Sequence, residues 1–305
     1  MRGFITDPHA PGGLRLANDL PEPEPGPGEL VLDVRAFSVN RGELFLIRQR
    51  PDGWRPGQDI AGVVQRPAAA GVGPPEGARV VAVVDWEGWA ERVAVPASHV
   101  AGLAENVSFE QAASLPIAGL TALRALRIGG ALLGRRVLVT GATGGVGHLA
   151  VQLAVAAGAL VTAQVSAPER EADARTLGAH DVAISLRDES LGPFHLVLDG
   201  IGGGTLTDAV HRLAPGGTAV TYGTLAGPAE LALPDFASAP NAHVVGFFHA
   251  FPHETKGEDL AILADLVAQE RLAPRVGLVR GWEETPEVLE ALRDRRVRGK
   301  ALLTR

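Results

Sequence analysis

The sequence predicts an α/β chain in which a doubly wound parallel sheet is joined to a smaller, antiparallel and barrel-like β unit. Three observations support this prediction. Short β-branched runs separated by Pro- and Gly-rich turns fill residues 1 to about 115. Strand-like and helix-like runs alternate from about residue 120 onward, the rhythm of a parallel sheet covered by helices on both faces. One strand-to-helix junction, at 141–147, is built largely from glycine.

The N-terminal part reads as strands because its runs are short, β-branched and bounded by turn residues. These runs are 31–39, 59–64, 78–84 and 90–96. The segment PEPEPGPG at 21–28 is expected to be a stiff exposed loop, because patterned segments flank it on both sides.

The second part alternates between the two periodicities. Its predicted strands are 136–140, 160–165, 181–184, 195–199, 217–223 and 243–248, and its predicted helices are 145–157, 168–178, about 203–213 and about 257–270. The chain then ends with a strand near 276–280, a helix near 285–295 and a strand at 301–304.

Composition excludes several classes of protein. The 305 residues include no cysteine, so disulfides, thiol nucleophiles and cysteine-ligated metal sites are excluded. A net charge of −7 argues against general nucleic-acid binding. No apolar stretch is long enough to span a membrane, and the N-terminus lacks the apolar core of a secretory signal. We expect a cytoplasmic protein without nucleic-acid or membrane partners.

The glycine junction predicts a diphosphate site. Gly141, Gly144, Gly145 and Gly147 lie between a buried strand and a helix that begins near Val146. A diphosphate at a helix N-terminus needs backbone N–H groups that no side chain obstructs. The strand before and the helix after this turn match the Rossmann fingerprint, although a merely tight turn is the alternative.

The end of the following strand favours NADPH over NADH. NAD-selective sites usually place Asp or Glu there, about 20 residues after the glycines, to bind the ribose hydroxyls. This chain has Ser166 at that strand end and Arg170 four residues later. A hydroxyl and a guanidinium suit an additional 2′-phosphate, although Arg170 could instead be an ordinary surface residue.

Segments along nearly the whole chain resemble the medium-chain dehydrogenase/reductase superfamily, in its zinc-independent quinone oxidoreductase branch. They are 136–163, 35–43, 55–64, 105–126, 197–203 and 298–305. The resemblance implies a GroES-like catalytic domain of residues 1–115 with 271–305. It also implies a Rossmann NADPH-binding domain of residues 116–270.

The resemblance also bears on metal and substrate. Zinc-dependent relatives have Gly-His-Glu where this chain has Gly57-Gln58-Asp59, and cysteine ligands are absent here. No metal site is therefore expected, and alcohol oxidation would lack the Lewis acid that activates it. The branch resembles enzymes that pass hydride from NADPH to quinones or to conjugated enones.

Residue by residue, the resemblance implies a set of site residues. Asn40 and Thr121 match catalytic positions beside the nicotinamide, and both would also contact the cofactor. Further cofactor contacts are implied at Gly223, Thr224, Phe247, Phe248, Arg295 and Lys300, with surface charge an equal alternative for Arg295.

Substrate contacts are less completely defined. Some relatives have a tyrosine, as substrate contact or proton donor, where this chain has Phe45; its only tyrosine is Tyr222. No side chain is therefore named as proton donor, and solvent is a sufficient source. Trp54 could lie against a flat acceptor or belong to the core. His249 and His253 are expected in a solvated loop because Pro252 lies between them, and His148 is expected at the surface.

Two functions from different classes fit these observations. One is an NADPH-dependent, zinc-independent reductase of quinones or α,β-unsaturated carbonyl compounds. The alternative is a non-catalytic NADPH-binding protein, acting as a redox sensor or a structural protein. A homodimer is expected, since the strand at 243–248 would form a sheet edge that needs a partner.

Overall fold

The computed structural model describes residues 1–250 and 254–305 and divides the chain into two compact units. The first comprises Met1–Leu120 and Ala250–Arg305, and the second comprises Thr121–His249. The sequence places the second boundary at 270/271, whereas the structure places it at 249/250. The reason is that the helix Gly257–Ala268 packs on the strand Val100–Gly102 of the first unit.

Strands and helices of the described residues are numbered in chain order. The strands are β1 (Gly3–Thr6), β2 (Leu14–Ala17), β3 (Glu29–Val39), β4 (Asp59–Arg66), β5 (Arg79–Val83), β6 (Arg92–Pro96), β7 (Val100–Gly102), β8 (Arg136–Val139), β9 (Leu160–Gln164), β10 (Asp181–Ala183), β11 (Phe194–Asp199), β12 (Leu213–Thr221), β13 (His243–Gly246), β14 (Val276–Gly281) and β15 (Lys300–Thr304). The helices are α1 (Arg41–Leu46), α2 (Phe109–Ala113), α3 (Pro116–Ile128), α4 (Gly147–Ala156), α5 (Glu171–Thr176), α6 (Gly203–Val210), α7 (Gly257–Ala268) and α8 (Thr285–Arg293).

The first unit is built around a largely antiparallel sheet with the order β14-β15-β3-β4-β5-β7, in which β6 also pairs with β3. The long strand β3 is central because it pairs with β4, β6 and β15. Aromatic rings fill the core beneath it: Phe37 stacks on Trp89 with ring centroids 5.4 Å apart, and Phe4 and Trp282 pack edge-on or tilted against them. This sheet carries Asn40, at the end of β3, and Lys300, at the start of β15.

The second unit is a parallel sheet with the order β10-β9-β8-β11-β12-β13. The chain begins this sheet in the middle, at β8, runs outward through β9 and β10, and then returns to β11 on the other side. This is the doubly wound order, in which ligands bind at the point where the direction reverses. The predicted α/β class is confirmed.

Several elements differ from the predicted bounds. The predicted helix at about 203–213 ends at Val210, because β12 begins at Leu213, where it pairs with Phe194 of β11. The predicted helix 145–157 begins two residues later, at Gly147. Among residues 1–250 and 254–305, no helix combines the length and apolar character that crossing a bilayer requires.

Candidate functional site

The glycine turn joins β8 to α4 with very little space between its two arms. A Cβ atom at Gly147 would lie 2.3 Å from the carbonyl oxygen of Gly141, and one at Gly144 would lie 3.1 Å from the same oxygen. Gly141 itself has φ +57°, in the left-handed region. Glycine is therefore required at position 147 by contact within the protein, whereas a side chain at position 144 would force a small shift of the Gly141 carbonyl.

The backbone amides of the turn divide into two groups. Gly141 N–H donates to Oε1 of Gln164 at 3.1 Å, and Gly144 N–H donates to the carbonyl oxygen of Gly141 at 2.9 Å. For the N–H groups of Gly145 and Val146, the described part of the chain provides no acceptor. These two donors precede the first residue of α4, where the helix dipole favours an anion. The donor set fits a diphosphate.

Arg170 lies beside this turn. Its Nη1 donates to Oγ1 of Thr143, within the turn, at 3.1 Å. Ser166, just past the end of β9, is exposed. The structure thus places the guanidinium of Arg170 beside the glycine turn.

The backbone segments that follow β11 and β12 also approach each other closely, at the carboxyl ends of these two strands. A Cβ at Gly223 would lie 2.5 Å from the carbonyl oxygen of Gly200, so glycine is required there as well. The Oη of Tyr222 is buried, and no hydrogen-bond partner for it occurs among the described residues. Burial, reinforced by the charge of Asp199, raises the pKa of Tyr222, which therefore remains a protonated donor. Thr224, next along the loop, is exposed.

Thr121 has a partner that the sequence did not indicate. Its Oγ1 lies 2.9 Å from Nε2 of His249, and the ring of Phe247 meets His249 edge-on with centroids 5.1 Å apart. His249 lies in a loop, as expected from the sequence, and is half-buried. Phe248, in contrast, is 89% exposed. His253 lies outside the described residues.

His148 is also placed differently from the expectation. It is fully buried in the first turn of α4, and its Nδ1 lies 2.8 Å from the carbonyl oxygen of Gly144. The surface position expected from the sequence is wrong, because this carbonyl allows the imidazole to be buried with a polar partner.

In the first unit, Asn40 belongs to a buried polar cluster. Its Oδ1 accepts from Nζ of Lys300 at 2.5 Å, and its Nδ2 donates to Oδ2 of Asp59 at 2.9 Å. Lys300 also forms an ion pair with Asp59, with 3.1 Å between Nζ and Oδ2. Both charged side chains are almost completely buried. The structure therefore uses Lys300 inside the protein, as a partner of Asn40.

Glu43 completes this cluster, and sequence reasoning missed it. Its carboxylate accepts from the backbone N–H of Asn40 at 2.6 Å and from that of Gln58 at 3.1 Å. Burial, followed by the negative charge of Asp59, raises the pKa of Glu43 to about 8. A Glu three residues after an Asn at a helix start is a capping pattern that could have indicated it.

The remaining predicted residues lie in varied surroundings. Phe45 on α1 is 62% exposed. Trp54 is half-buried and packs on Trp86, with centroids 4.9 Å apart, while Arg50 lies over its ring at 5.6 Å. Arg295, just after α8, is exposed with φ +59°.

No group of three or more His, Asp or Glu side chains in 1–250 and 254–305 is arranged to hold a metal ion. Asp59 already accepts hydrogen bonds at both oxygens, from Ser38, Asn40, Lys300 and the Ile117 backbone. Its donor environment does not fit a zinc ligand.

Comparisons with known proteins agree with this geometry. The profile of the family described as zinc-binding dehydrogenase matches residues 145–265. The human synaptic vesicle membrane protein VAT-1 homolog is 30% identical over 315 residues, which cover 92% of this chain and 80% of that protein.

Two solved structures are similar over the whole chain. The quinone oxidoreductase from Coxiella burnetii has a TM-score of 0.84 and 27% identity, and covers 100% of this chain and 99% of its own. A mycobacterial protein solved in complex with NADPH has a TM-score of 0.86 and 28% identity, and covers 100% of both chains.

The raised pKa of Glu43 predicts a pH-dependent stability. Because the folded pKa of about 8 exceeds the ordinary 4.5, the folded state holds this proton more tightly, and stability falls as pH rises from about 4.5 to about 8. We expect this loss to be on the order of 5 kcal/mol and to be absent in Glu43→Gln. Urea unfolding at a series of pH values measures it, and Glu287→Gln, at an exposed position on α8, is the control. Equal pH slopes for wild type and Glu43→Gln would contradict the assignment.

Proposed function

The chain belongs to the medium-chain dehydrogenase/reductase superfamily, in its quinone oxidoreductase-like branch, and from that premise we propose an NADPH-dependent reductase of quinones or α,β-unsaturated carbonyl compounds. Membership of this family makes the protein an oxidoreductase with a nicotinamide-dependent fold. The choice of NADPH, the acceptor class and the independence of zinc are the proposal.

One observation carries the cofactor assignment: the N–H groups of Gly145 and Val146 lie at the start of α4, with the guanidinium of Arg170 beside the same turn. Two unobstructed amides and a helix dipole suit a diphosphate, and a nearby cation suits a phosphate on the adenosine ribose. The mycobacterial neighbour solved with NADPH supports this choice.

Other residues of the second unit would bind the remainder of the cofactor. Gly223 lets the chain at the end of β12 pass close to Gly200. We expect Thr224, Phe247 and Phe248 to lie along the cofactor, with Ser166 near its 2′-phosphate. When bound, the reduced nicotinamide supplies the hydride that the acceptor takes up.

The protein's own contribution to the reaction is to position groups and direct hydrogen bonds. Thr121, whose hydroxyl is paired with His249, and Asn40, whose amide is held by Lys300 and Asp59, are the two catalytic residues we propose. Phe45 and Trp54 offer apolar and aromatic surface to a flat acceptor. Solvent can supply the proton, since reduced quinones and enolates are protonated readily in water.

Turnover with defined acceptors tests this function. We expect steady NADPH oxidation with 1,4-benzoquinone or 9,10-phenanthrenequinone, followed at 340 nm. Thr121→Val keeps the shape of the side chain but removes the hydroxyl, and should lower turnover by about tenfold or more. Thr176→Val, at an exposed position on α5, serves as control. Tight NADPH binding without turnover on a broad panel of quinones and enones would favour the alternative function, a non-catalytic redox sensor or structural protein. Phe45, which stands where some relatives have a tyrosine, is the reason to consider that alternative.

Cofactor preference tests the role of Arg170. Arg170→Ala should lose discrimination between NADPH and NADH by about 1 to 3 kcal/mol, the scale of a charge-assisted hydrogen bond. Titration of both cofactors against wild type and variant measures the ratio of dissociation constants. An unchanged ratio would remove Arg170 from the site.

We further propose that the protein is a homodimer joined through β13. Within the described residues β13 pairs with β12 alone, and Val244 on this edge strand is 38% exposed. An open strand edge tends to pair with another chain, and a two-fold axis is the usual arrangement. We expect a dimer by sedimentation at micromolar concentration and a shift toward monomer in Val244→Lys. A monomeric mass for the wild type would count against this proposal.

A further inference from the structure

The amide of Asn40 is held at both of its ends by buried charges. Lys300 donates to its Oδ1 at 2.5 Å, and Asp59 accepts from its Nδ2 at 2.9 Å. The two charges also pair with each other at 3.1 Å. The three side chains thus form a closed triangle in which each one contacts the other two.

This triangle fixes which way the amide faces. An ammonium can only donate, and an ionised carboxylate can only accept. Turning the Asn40 amide over would place its NH2 group against Lys300 and its oxygen against Asp59, and both contacts would become repulsive. Only one orientation is therefore compatible with Lys300 and Asp59.

The surroundings keep the triangle rigid. Oδ2 of Asp59 also accepts from Oγ of Ser38 at 2.6 Å, and Oδ1 accepts from the backbone N–H of Ile117 at 2.8 Å. Glu43 binds the backbone N–H of Asn40 at 2.6 Å. Both the backbone and the side chain of Asn40 are therefore held in place by groups that are themselves buried and bonded.

We propose that Lys300 and Asp59 are positioning residues that lock the amide of Asn40, so that it presents its second Nδ2 hydrogen as a donor to an acceptor oxygen of the ligand. This inference rests on the proposed function. The acceptor is either the carbonyl oxygen of the substrate or a ribose oxygen of the nicotinamide nucleotide. Lys300 acts through Asn40 in this proposal, instead of contacting the cofactor.

The charges of the triangle also affect the strength of this donor. The positive charge on Lys300 draws electron density toward Oδ1 and polarises the amide, which strengthens the remaining N–H as a donor. Asp59 and Lys300 cancel in net charge, so the ligand meets a polarised neutral group. Such a group can stabilise negative charge that develops on a carbonyl oxygen.

The first experiment uses the protein without cofactor. In ¹⁵N-labelled wild type, the side-chain amide of Asn40, identified by its loss in Asn40→Ala, should exchange slowly with solvent. Lys300→Met should make that exchange at least tenfold faster, while Lys300→Gln, which keeps a donor, should restore most of the protection. Arg305→Met, which breaks the exposed ion pair with Asp33 just after β15, is the matched control. Unchanged exchange in Lys300→Met would overturn the proposal.

The second experiment is a double-mutant cycle on binding and turnover. Asn40→Ala should weaken NADPH binding or raise the KM for the quinone by about tenfold, the scale of one hydrogen bond. A change in the NADPH dissociation constant would identify the ribose oxygen as the acceptor, and a change in the KM for the quinone would identify the carbonyl oxygen. In the Lys300→Met background the same substitution should cost less than threefold, because the orientation is already lost. If Lys300→Met does not fold, Asp59→Asn/Lys300→Met removes both charges together and takes its place.

The outcomes separate the two proposals. The protein could bind NADPH while Asn40→Ala weakens binding equally in wild type and in Lys300→Met. That result would overturn the positioning role of Lys300 and leave the proposed function standing. A lock visible by exchange in a protein that binds no NADPH would overturn the proposed function, and with it the role assigned to Asn40.

Discussion

The distance between the carbonyl of Gly141 and the first turn of α4 is the constraint on which the second unit depends. Because Gly147 has no Cβ atom, the chain can turn directly from the end of β8 into the helix; any side chain there would collide with the Gly141 carbonyl. That abrupt turn lies at the middle of the sheet, where the strand order reverses, and the described residues provide no acceptor for the N–H groups of Gly145 and Val146 there. A wider turn with side chains would satisfy or cover those amides, and the anion site would be lost.

The same turn organises its neighbours. Gln164, the last residue of β9, binds Gly141 N–H through its side chain and Ala142 N–H through its backbone. The adjacent strand end is thereby tied to the glycine turn. Arg170, which follows a few residues after β9, can then reach Thr143. The position of the cation relative to the amides thus follows from local chain connections rather than from a separate binding element.

The first unit depends on a different kind of interaction. Burying Asp59 and Lys300 is costly in desolvation and is tolerated only when each charge is paired and hydrogen-bonded. Asp59 meets this requirement because its carboxylate accepts four hydrogen bonds, from Ser38, Asn40, Lys300 and the backbone of Ile117. The need for donors to Asp59 also explains why Ser38 is fully buried among the apolar residues at the end of β3. Such an arrangement contributes little net stability, but it restricts the groups it contains to one geometry.

Much of the fold could be predicted from the sequence because its signals are local. The glycine turn and the alternation of strands and helices each depend on neighbours within about thirty residues. The partners in the two polar clusters are not local. Lys300 and Asn40 are 260 positions apart, and Thr121 and His249 are 128 apart. No periodicity relates such residues, so the sequence indicated that Asn40 and Thr121 matter without indicating what holds them.

The polar cluster also bears on the proposed independence of zinc. In zinc-dependent relatives the stretch matching 57–59 takes part in the metal site, and here it includes Gln58 and Asp59. The backbone of Gln58 binds Glu43, and both oxygens of Asp59 already accept hydrogen bonds. A metal ion bound to Asp59 would lie close to the Lys300 ammonium, and the two positive charges would repel each other. In this chain the carboxylate of Asp59 is paired with the Lys300 ammonium, and this pairing is consistent with the proposal that directed hydrogen bonds, rather than a Lewis acid, polarise the acceptor.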